Sequence, residues 1–196
     1  MDLCNVNEIR TLLSRHGFFF SKSMGQNFLI DARIPERIAE LSGINDSCGV
    51  VEIGPGIGTL TVQLASRASK VVAIELDKKL LPVLSETLRD YPNVEVINKD
   101  ALKIDFRELA EDKLQGLRPL VCANIPYNIT SPLISKLIES RCFETITLMI
   151  QREVASRICA KPSTPDYSSF TIYVNYYTEP QILFDVPPSS FIPQPK

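Results

Sequence analysis

The apolar residues near the start of the chain recur at the spacing of α-helices. Residues 5–16 carry such a stripe, and Gly17 can end that helix in a left-handed conformation. Residues 32–42 carry a second stripe, with Asp31 as a candidate N-terminal cap. The polar segment 21–29 fits neither period and is predicted to be a loop. The chain therefore begins with two helices joined by a loop.

From residue 49 the pattern changes to short apolar runs that alternate with amphipathic segments. Five runs have the length and composition of buried strands: residues 50–53, 71–75, 94–97, 120–123 and 146–150. Helix-like stretches lie between them, at residues 59–69, 77–89, 103–114 and 131–140. Parallel strands joined by helical crossovers produce this alternation. The sequence therefore predicts a doubly wound α/β sheet.

The chain after the fifth predicted strand is less regular. Residues 151–160 are predicted to be helical, and residues 179–186 are predicted to form a sixth strand. Residues 168–177 fit both the alternation of a strand and the stripe of a helix. We predict a helix there because the topology needs a crossover. The proline-rich tail from residue 187 is predicted to be extended.

The composition is that of one globular domain, because 44% of the 196 residues are hydrophobic. We divide it into an N-terminal helical segment, residues 1–45, and a core, residues 46–196. The sequence has no apolar run of about 18 residues, and its first twenty positions carry charges. We therefore expect neither a membrane span nor a secretory signal, and we expect a cytoplasmic monomer.

Cysteine and histidine usage disfavours several kinds of site. The five cysteines are scattered and never form a Cys-x-x-Cys pair, so neither a disulfide framework nor a zinc site is predicted. His16 is the only histidine, which disfavours multi-histidine metal sites and nucleophile–histidine dyads. We expect no metal cofactor.

The formal net charge of −2 is not typical of a nucleic-acid-binding protein, because neutralising phosphates needs clustered Lys and Arg. A local basic cluster can still form, since Arg152, Arg157 and Lys161 fall at helical spacing and Arg141 lies upstream. The alternative is a solvated helix face. The sequence leaves both interpretations open.

A glycine-rich turn, Glu-Ile-Gly-Pro-Gly-Ile-Gly, follows the first strand of the core. It places Gly54 and Gly56 where the backbone can approach a ligand closely. The Gly-x-Gly-x-Gly spacing departs from the Gly-x-Gly-x-x-Gly that binds a pyrophosphate, which disfavours a nicotinamide dinucleotide. Glu52, two positions before Gly54, would repel a phosphate but favour a ligand with ammonium and sulfonium groups. S-adenosylmethionine is such a ligand.

Acidic residues also follow the next two strands. Glu75 ends the second strand, 21 residues after Gly54, where a carboxylate can accept both ribose hydroxyls. Asp100 follows the third strand and could hold the adenine amine. Each acid alone has an ordinary alternative, because Glu52 or Asp100 can cap a helix and Glu75 can face solvent. Three acids at successive strand ends beside the glycines favour a cofactor site.

The fourth strand runs into the segment Asn-Ile-Pro-Tyr-Asn. Methylating an exocyclic amine needs acceptors that draw its N–H groups out of the ring plane, and the Asn124 side chain and the Ile125 carbonyl, stiffened by proline, could supply them. Tyr127 would stack on a flipped-out base, and catalysis would be mainly positioning. The alternative is an ordinary proline turn, with Asn128 or Ser131 as a helix N-cap and Tyr127 in the core.

Seven ordered segments together resemble the ribosomal RNA adenine dimethyltransferase family, in its small-subunit branch. They read KSMGQNFL (22–29), EIGPGIG (52–58), ELD (75–77), DA (100–101), NIPYN (124–128), QREVA (151–155) and FIPQP (191–195). The resemblance spans nearly all of the chain. It implies the α/β fold of a class I S-adenosylmethionine-dependent methyltransferase, with a Rossmann-like, mostly parallel sheet after two N-terminal helices.

The resemblance also implies roles for individual residues. The residues that it assigns to S-adenosylmethionine are Gln26, Asn27 and Leu29 as a cover, Gly54 and Gly56 at the methionine part, Glu75 at the ribose, and Asp100 and Ala101 at the adenine. Glu52 and Asn124 are also predicted to bind the cofactor. The residues that it assigns to the target base are Asn124, Ile125, Tyr127 and, from the other side, Phe191. The implied partner is 16S ribosomal RNA in the small subunit, in which two adjacent adenosines near the 3′ end each receive two methyl groups.

Family members usually continue past the Phe-x-Pro-x-Pro segment into a seventh strand and a small helical domain. We therefore expect this chain to be a C-terminally truncated form that lacks the helical domain. Three alternatives remain: a large-subunit rRNA adenine methyltransferase that gives macrolide-type resistance, a non-catalytic RNA-binding assembly factor, and a nicotinamide-linked oxidoreductase. The amino-acid sequence of segment 151–155 favours the small-subunit branch.

Overall fold

The computed structural model describes residues 1–18 and 27–195, and its centre is a five-stranded parallel sheet. The strands of the described residues, in chain order, are β1 (Phe28–Leu29), β2 (Cys48–Ile53), β3 (Lys70–Glu75), β4 (Val94–Asn98), β5 (Arg118–Asn124), β6 (Thr145–Met149) and β7 (Phe191–Ile192). The order across the central sheet is β4-β3-β2-β5-β6, and each neighbouring pair is parallel. The chain moves outward from β2 in one direction and then in the other, so the predicted doubly wound sheet is confirmed.

Helices join these strands and cover both faces of the sheet. In the described residues they are α1 (Val6–Arg15), α2 (Arg33–Leu41), α3 (Thr59–Ala65), α4 (Leu81–Thr87), α5 (Phe106–Lys113), α6 (Thr130–Ser140), α7 (Arg152–Ile158) and α8 (Ser169–Tyr177). The predicted helices before the sheet, between the strands and after the fifth strand are confirmed. So is the helix predicted for the ambiguous stretch 168–177.

The core has one layer on each face of the sheet because successive side chains of a strand point in opposite directions. Val51 and Ile53 of β2 pack with residues of α5 and α6 on one face. Cys48 and Val50 of the same strand pack with residues of α2 and α3 on the other face. A third cluster packs α1 against the turn after β2 and against β1. Helix α1 therefore packs against the turn that follows β2.

Two short strands outside the central sheet pair with each other. Leu29 of β1 lies opposite Phe191 of β7, and the backbone N–H of Ile30 donates to the carbonyl of Ser190 at 2.9 Å. The loop predicted over residues 21–29 is therefore wrong at Phe28 and Leu29, because a partner far along the chain pairs with them. Residues 21–26 lie outside the described residues.

The sixth strand predicted for residues 179–186 is wrong. No strand of the described residues pairs with this segment, although it contains the apolar run Ile-Leu-Phe. Ile182 and Leu183 expose 52% and 37% of their surface, so the apolar pattern does not correspond to burial there. The guanidinium of Arg37 in α2 lies over the Phe184 ring, 4.3 Å from the ring centre. This contact anchors the segment to α2.

The ends of the first two helices follow the predictions closely. Gly17 has a φ of 62° just after α1, as a left-handed helix stop requires. The N-cap position of α2 is Ala32, and Asp31 lies one residue further out. Its carboxylate accepts the backbone N–H of Arg33 at 3.1 Å, so it still satisfies a free donor of the first turn. Among the described residues, no helix is long and apolar enough to cross a bilayer.

Candidate active site

The carboxyl ends of β2, β3, β4 and β5 surround one cavity, which β1 and β7 close on a further side. Parallel strands present their carboxyl ends at the same edge of a sheet, and ligands of doubly wound sheets bind where the strand order reverses. Glu75 comes from one side of β2 and Asn124 from the other, and both line this cavity. The predicted cofactor residues and the predicted base residues therefore share one space.

The turn after β2 forms the floor of the cavity. Gly54 and Gly56 have φ angles of 70° and 62°, a conformation in which glycine avoids the strain of other residues. A Cβ atom on Gly56 would lie only 3.2 Å from Cε1 of Phe28, so the turn packs closely against β1. Because these positions have no side chains, a ligand can approach the peptide groups directly.

Glu75 does not face solvent, which rules out the ordinary alternative for this residue. Its surface is 6% exposed, and its Oε1 accepts the backbone N–H of Asp77 at 2.7 Å. Burial raises the pKa of Glu75, whereas hydrogen bonds from the backbone N–H groups of Asp77 and Gly56 act in the opposite direction. The carboxyl group is thus held in a fixed orientation at the cavity wall.

Asp100 caps a helix and also lines the cavity. Its Oδ1 accepts the backbone N–H of Leu102 at 3.0 Å, at the start of a short 3₁₀ helix over Ala101–Lys103. Its Oδ2 lies 4.0 Å from the Lys103 ammonium. The capping alternative considered from the sequence therefore holds for Asp100. It does not compete with ligand binding, because Asp100 and the buried Ala101 both line the cavity.

Glu52 lies at the end of β2 and caps no helix. Only 1% of its surface is exposed, although it lines the cavity, and its Oε2 has no hydrogen-bond partner among the described residues. Burial raises the pKa of Glu52 to about 8, and the nearby Glu75 carboxyl contributes in the same direction. Most molecules therefore carry a neutral Glu52 at neutral pH when no ligand is bound.

The segment after β5 forms the wall opposite Glu75. The backbone N–H of Ile125 donates to the Met149 carbonyl at 3.1 Å, which ties the segment to the end of β6. The Asn124 side chain makes no hydrogen bond to any described residue, so its amide is available inside the cavity. Tyr127 is half-buried and lines the cavity rather than the core, and burial raises the pKa of its phenol.

The alternative of an ordinary proline turn is not supported at this segment. Helix α6 begins after Ile129 without any side-chain cap, so neither Asn128 nor Ser131 has the capping role. The hydroxyl of Thr130 contacts the carbonyls of Pro126 and Tyr127 at 3.4 and 3.3 Å instead.

The pairing of β1 with β7 places residues from distant parts of the chain at the mouth of the cavity. Asn27 and Leu29 line the cavity from β1 and the residue before it, and Phe191 lines it from β7. Phe191 is buried and lies directly opposite Leu29 in the pairing. Gln26 lies outside the described residues.

Residues 17–196 match the model of the ribosomal RNA adenine dimethylase family. The chain belongs to this family. It is 49% identical to a ribosomal RNA small subunit methyltransferase A of Alkaliphilus oremlandii, over 99% of the chain and 68% of that relative.

Solved structures of proteins with related names share the fold. A dimethyladenosine transferase from Plasmodium falciparum is 36% identical with a TM-score of 0.74, over 86% of this chain and 59% of that one. The 23S rRNA methyltransferase ErmE is 33% identical with a TM-score of 0.71, over 86% of this chain and 65% of that one. The predicted Rossmann-like fold of S-adenosylmethionine-dependent methyltransferases is therefore confirmed for this member of the dimethylase family.

The cavity brings together all the site residues predicted from the sequence that the structure describes. These are Asn27, Leu29, Glu52, Gly54, Gly56, Glu75, Asp100, Ala101, Asn124, Ile125, Tyr127 and Phe191.

Sequence reasoning missed other residues of the cavity wall. Leu76 lines the cavity and exposes 59% of its surface, so it offers an apolar contact beside Glu75. Its position next to Glu75 was the signal that could have identified it. Phe28 and Lys99 also line the cavity, and both adjoin residues that were predicted.

The basic residues considered from the sequence are exposed. Arg157 and Lys161 have no ion-pair partner in the described part of the chain, whereas Arg152 lies 3.7 Å from Asp185. Arg141 stacks over the ring of Tyr177 at 5.5 Å. Within residues 1–18 and 27–195, no group of three or more His, Cys, Asp or Glu side chains is arranged to hold a metal ion.

Proposed function

We propose that this protein transfers methyl groups from S-adenosylmethionine to the exocyclic amines of adenosines in ribosomal RNA, and that its substrate is 16S rRNA of the small subunit. The observation that carries the proposal is that Glu75 and Asn124 line one cavity on opposite sides of the glycine turn. Membership of the dimethylase family and the name of the Alkaliphilus relative support the same substrate.

The first half of the cavity suits a cationic nucleoside. Glu75 offers carboxylate oxygens for a ribose diol, held by backbone N–H groups. Asp100 and Ala101 lie at the end of the next strand, where an adenine amine and ring edge would reach. Gly54 and Gly56 leave room for the methionine part beside Glu52. The glycine turn itself, residues 54–58, carries no basic side chain that would attract a diphosphate.

The second half of the cavity suits a planar base with an amine. The free Asn124 side-chain oxygen and the Ile125 carbonyl would accept the two N–H groups of the amine, which turns its lone pair toward the cofactor side. Tyr127 and Phe191 provide aromatic surface for the faces of the base. The proline between Ile125 and Tyr127 fixes the backbone that presents the carbonyl.

When bound, S-adenosylmethionine supplies an electrophilic methyl group on a sulfonium sulfur. The residues of the cavity need only hold the amine in line with that methyl group, which is catalysis by positioning. A methylated ammonium is acidic enough to lose its proton to water, so no strong base is needed. This agrees with the position of His16, which lies 2.7 Å from Glu86 between α1 and α4 and does not line the cavity.

The proposal is tested with the variant Asn124→Ala. We expect methyl incorporation into undermethylated small ribosomal subunits to fall by about 100-fold or more, because one amine acceptor is lost from the transition state. We expect the Kd for S-adenosylmethionine, measured by calorimetry, to change by less than about threefold, because the carboxylates remain. A matched control is Asn93→Ala, whose amide donates to the Ala65 and Ala68 carbonyls and does not line the cavity.

Three results would contradict the proposal. The first is absence of S-adenosylmethionine binding together with binding of NAD. The second is full methyl transfer by the Asn124→Ala variant. The third is transfer to undermethylated large subunits only, which would favour the substrate named for ErmE.

A further inference from the structure

Glu52 is the most unusual polar residue of the cavity, and this inference about it rests on the proposed function. Its Oε2 is buried without a hydrogen-bond partner, and the same is true of the Thr61 hydroxyl in the facing helix α3. These are the only two such buried side-chain atoms among the described residues. An unpartnered buried polar group costs about 1–3 kcal/mol, and Glu52 lines the ligand cavity, so its free oxygen indicates an interaction that the bound ligand completes.

Among residues 1–18 and 27–195, the groups that act on Glu52 are acids and neutral side chains. Glu75 approaches it from β3, and Cys122 approaches it from β5. Helix α3 has no charged residue, and its Thr61 hydroxyl lies beside the Glu52 carboxyl, where it acts to lower the pKa of Glu52 less strongly than burial raises it. The charged residues of α2 are all exposed, and no ion pair of the described residues includes Glu52.

Other carboxyl groups of the chain show what a cationic partner would do. Asp31, Glu86 and Glu95 each lie within 4 Å of a basic side chain, and the pKa of each is lowered. Burial raises the pKa of Glu52 instead, to about 8. The Glu52 carboxyl thus lines the cavity without a cationic partner in the described part of the chain.

We propose that Glu52 is a proton-linked counter-charge for the cationic methionine end of S-adenosylmethionine. On binding, the O–H bond of the Glu52 carboxyl breaks, the proton passes to the solvent buffer, and the carboxylate that remains pairs with the arriving positive charge. Because one proton leaves Glu52 as one positive charge of the ligand arrives, the sum of these two charges stays at zero. Glu52 selects for a cation at this position and acts as a specificity-determining residue.

A binding reaction that releases one proton becomes about tenfold tighter for each pH unit, until the group is already ionised in the free protein. We therefore expect the affinity for S-adenosylmethionine to rise between pH 6 and about pH 8 and to level off above it. A neutral ligand in the same cavity has no such dependence on Glu52.

The experiment is calorimetric titration of the wild-type chain with S-adenosylmethionine at pH 7, in phosphate and in Tris, whose ionisation enthalpies differ. The difference in observed heat gives the number of protons released, and we expect a value close to one. Repeating the titration from pH 6 to pH 9 gives the slope of affinity against pH. Neither measurement depends on a variant that must fold.

The variant Glu52→Gln keeps the shape of the neutral acid and cannot release a proton. We expect its proton release to vanish and its affinity to be nearly independent of pH. It should bind within about threefold of the wild type at pH 6 and about tenfold or more weaker at pH 8.5, where only the wild type provides a carboxylate.

Glu75→Gln is the matched comparison, because the pKa of Glu75 is also raised by burial. Proton release that persists in Glu75→Gln and disappears in Glu52→Gln supports the inference. The reverse pattern, or wild-type binding without proton release at pH 7, overturns it and leaves the proposed function intact. Absence of S-adenosylmethionine binding at every pH would instead contradict the proposed function.

Discussion

Single residues of the cavity combine roles that the sequence presents as alternatives. Asp100 caps a short helix and lines the cavity, and Glu75 accepts backbone N–H groups while it faces the ligand space. The candidates Glu52, Glu75, Asp100 and Asn124 could be predicted to lie together because each lies at the carboxyl end of a strand in a parallel sheet, whereas Phe191 was expected from the family resemblance alone. The protonation of Glu52 could not be predicted, because it depends on burial by α3 and on the position of Glu75.

The raised pKa of Glu52 predicts a change in stability with pH. The unfolded chain binds this proton only below about pH 4.5, whereas the folded chain keeps it up to about pH 8. The stabilisation is therefore complete at low pH and is lost as the pH rises through this window, by up to about 1.4 kcal/mol per pH unit. Glu52→Gln lacks this loss, so its unfolding free energy should exceed that of the wild type increasingly from pH 5 to pH 8. The measurement is urea denaturation of both proteins at several pH values. A difference in unfolding free energy that stays constant from pH 5 to pH 8 would refute this expectation.

Gly56 predicts a coupled loss of stability and binding. Alanine at this φ of 62° costs about 1–2 kcal/mol of backbone strain, and its Cβ would also press on Phe28 at 3.2 Å. Gly17→Ala is the control, since Gly17 has the same φ of 62° and open space around it. Chemical denaturation should show both variants destabilised, and titration should show weaker S-adenosylmethionine binding for Gly56→Ala alone. Equal binding by both variants would argue against a close ligand approach at Gly56.

At the scale of elements, the pattern of apolar residues predicted the central strands and the helices between them. It failed where the partner of a segment decides its structure. Residues 28–29 became a strand because β7 lies beside them, and residues 179–186 did not because no described strand pairs with them. The local spacing of apolar residues does not indicate which distant segment will pair with them.

Helix α8 depends on its first residues, since its sequence fits a strand as well. The Ser168 hydroxyl accepts the backbone N–H of Thr171, and the Thr171 hydroxyl accepts the backbone N–H of Ser168. Ser168→Ala should lower the unfolding free energy by about 1 kcal/mol, measured by urea denaturation. Ser169→Ala, at an exposed position inside the helix, should change it by less than half as much. An equal effect of the two substitutions would mean that the capping box does not stabilise α8.

At the scale of the whole molecule, the five-stranded sheet and the β1–β7 pair are separate units of structure. The fold of the sheet could be predicted from the sequence pattern, and the family resemblance implied which residues close the cavity. The β1–β7 pairing that produces this closure could not be predicted. That closure depends on contact between two segments that are distant in the sequence.

A chain that ends at Val186 would test how far the two units depend on each other. It loses β7, so Leu29 and Ile30 lose their backbone partners, while every strand of the central sheet keeps its own. We expect circular dichroism to show the same secondary structure and S-adenosylmethionine affinity to fall by about tenfold. Phe191→Ala, which keeps the backbone pairing, should retain more of that affinity. Unchanged affinity in the shortened chain would mean that β7 does not hold the cofactor side of the cavity.

The register of the β1–β7 pair has a thermodynamic consequence. Leu29 and Phe191 face each other across it, one assigned to the methyl donor and the other to the acceptor base. If each ligand stabilises the β1–β7 pair, adenosine must raise the affinity for the methyl donor by the same factor by which the donor raises the affinity for adenosine. Either ligand arriving first would then prepare the molecule for the second.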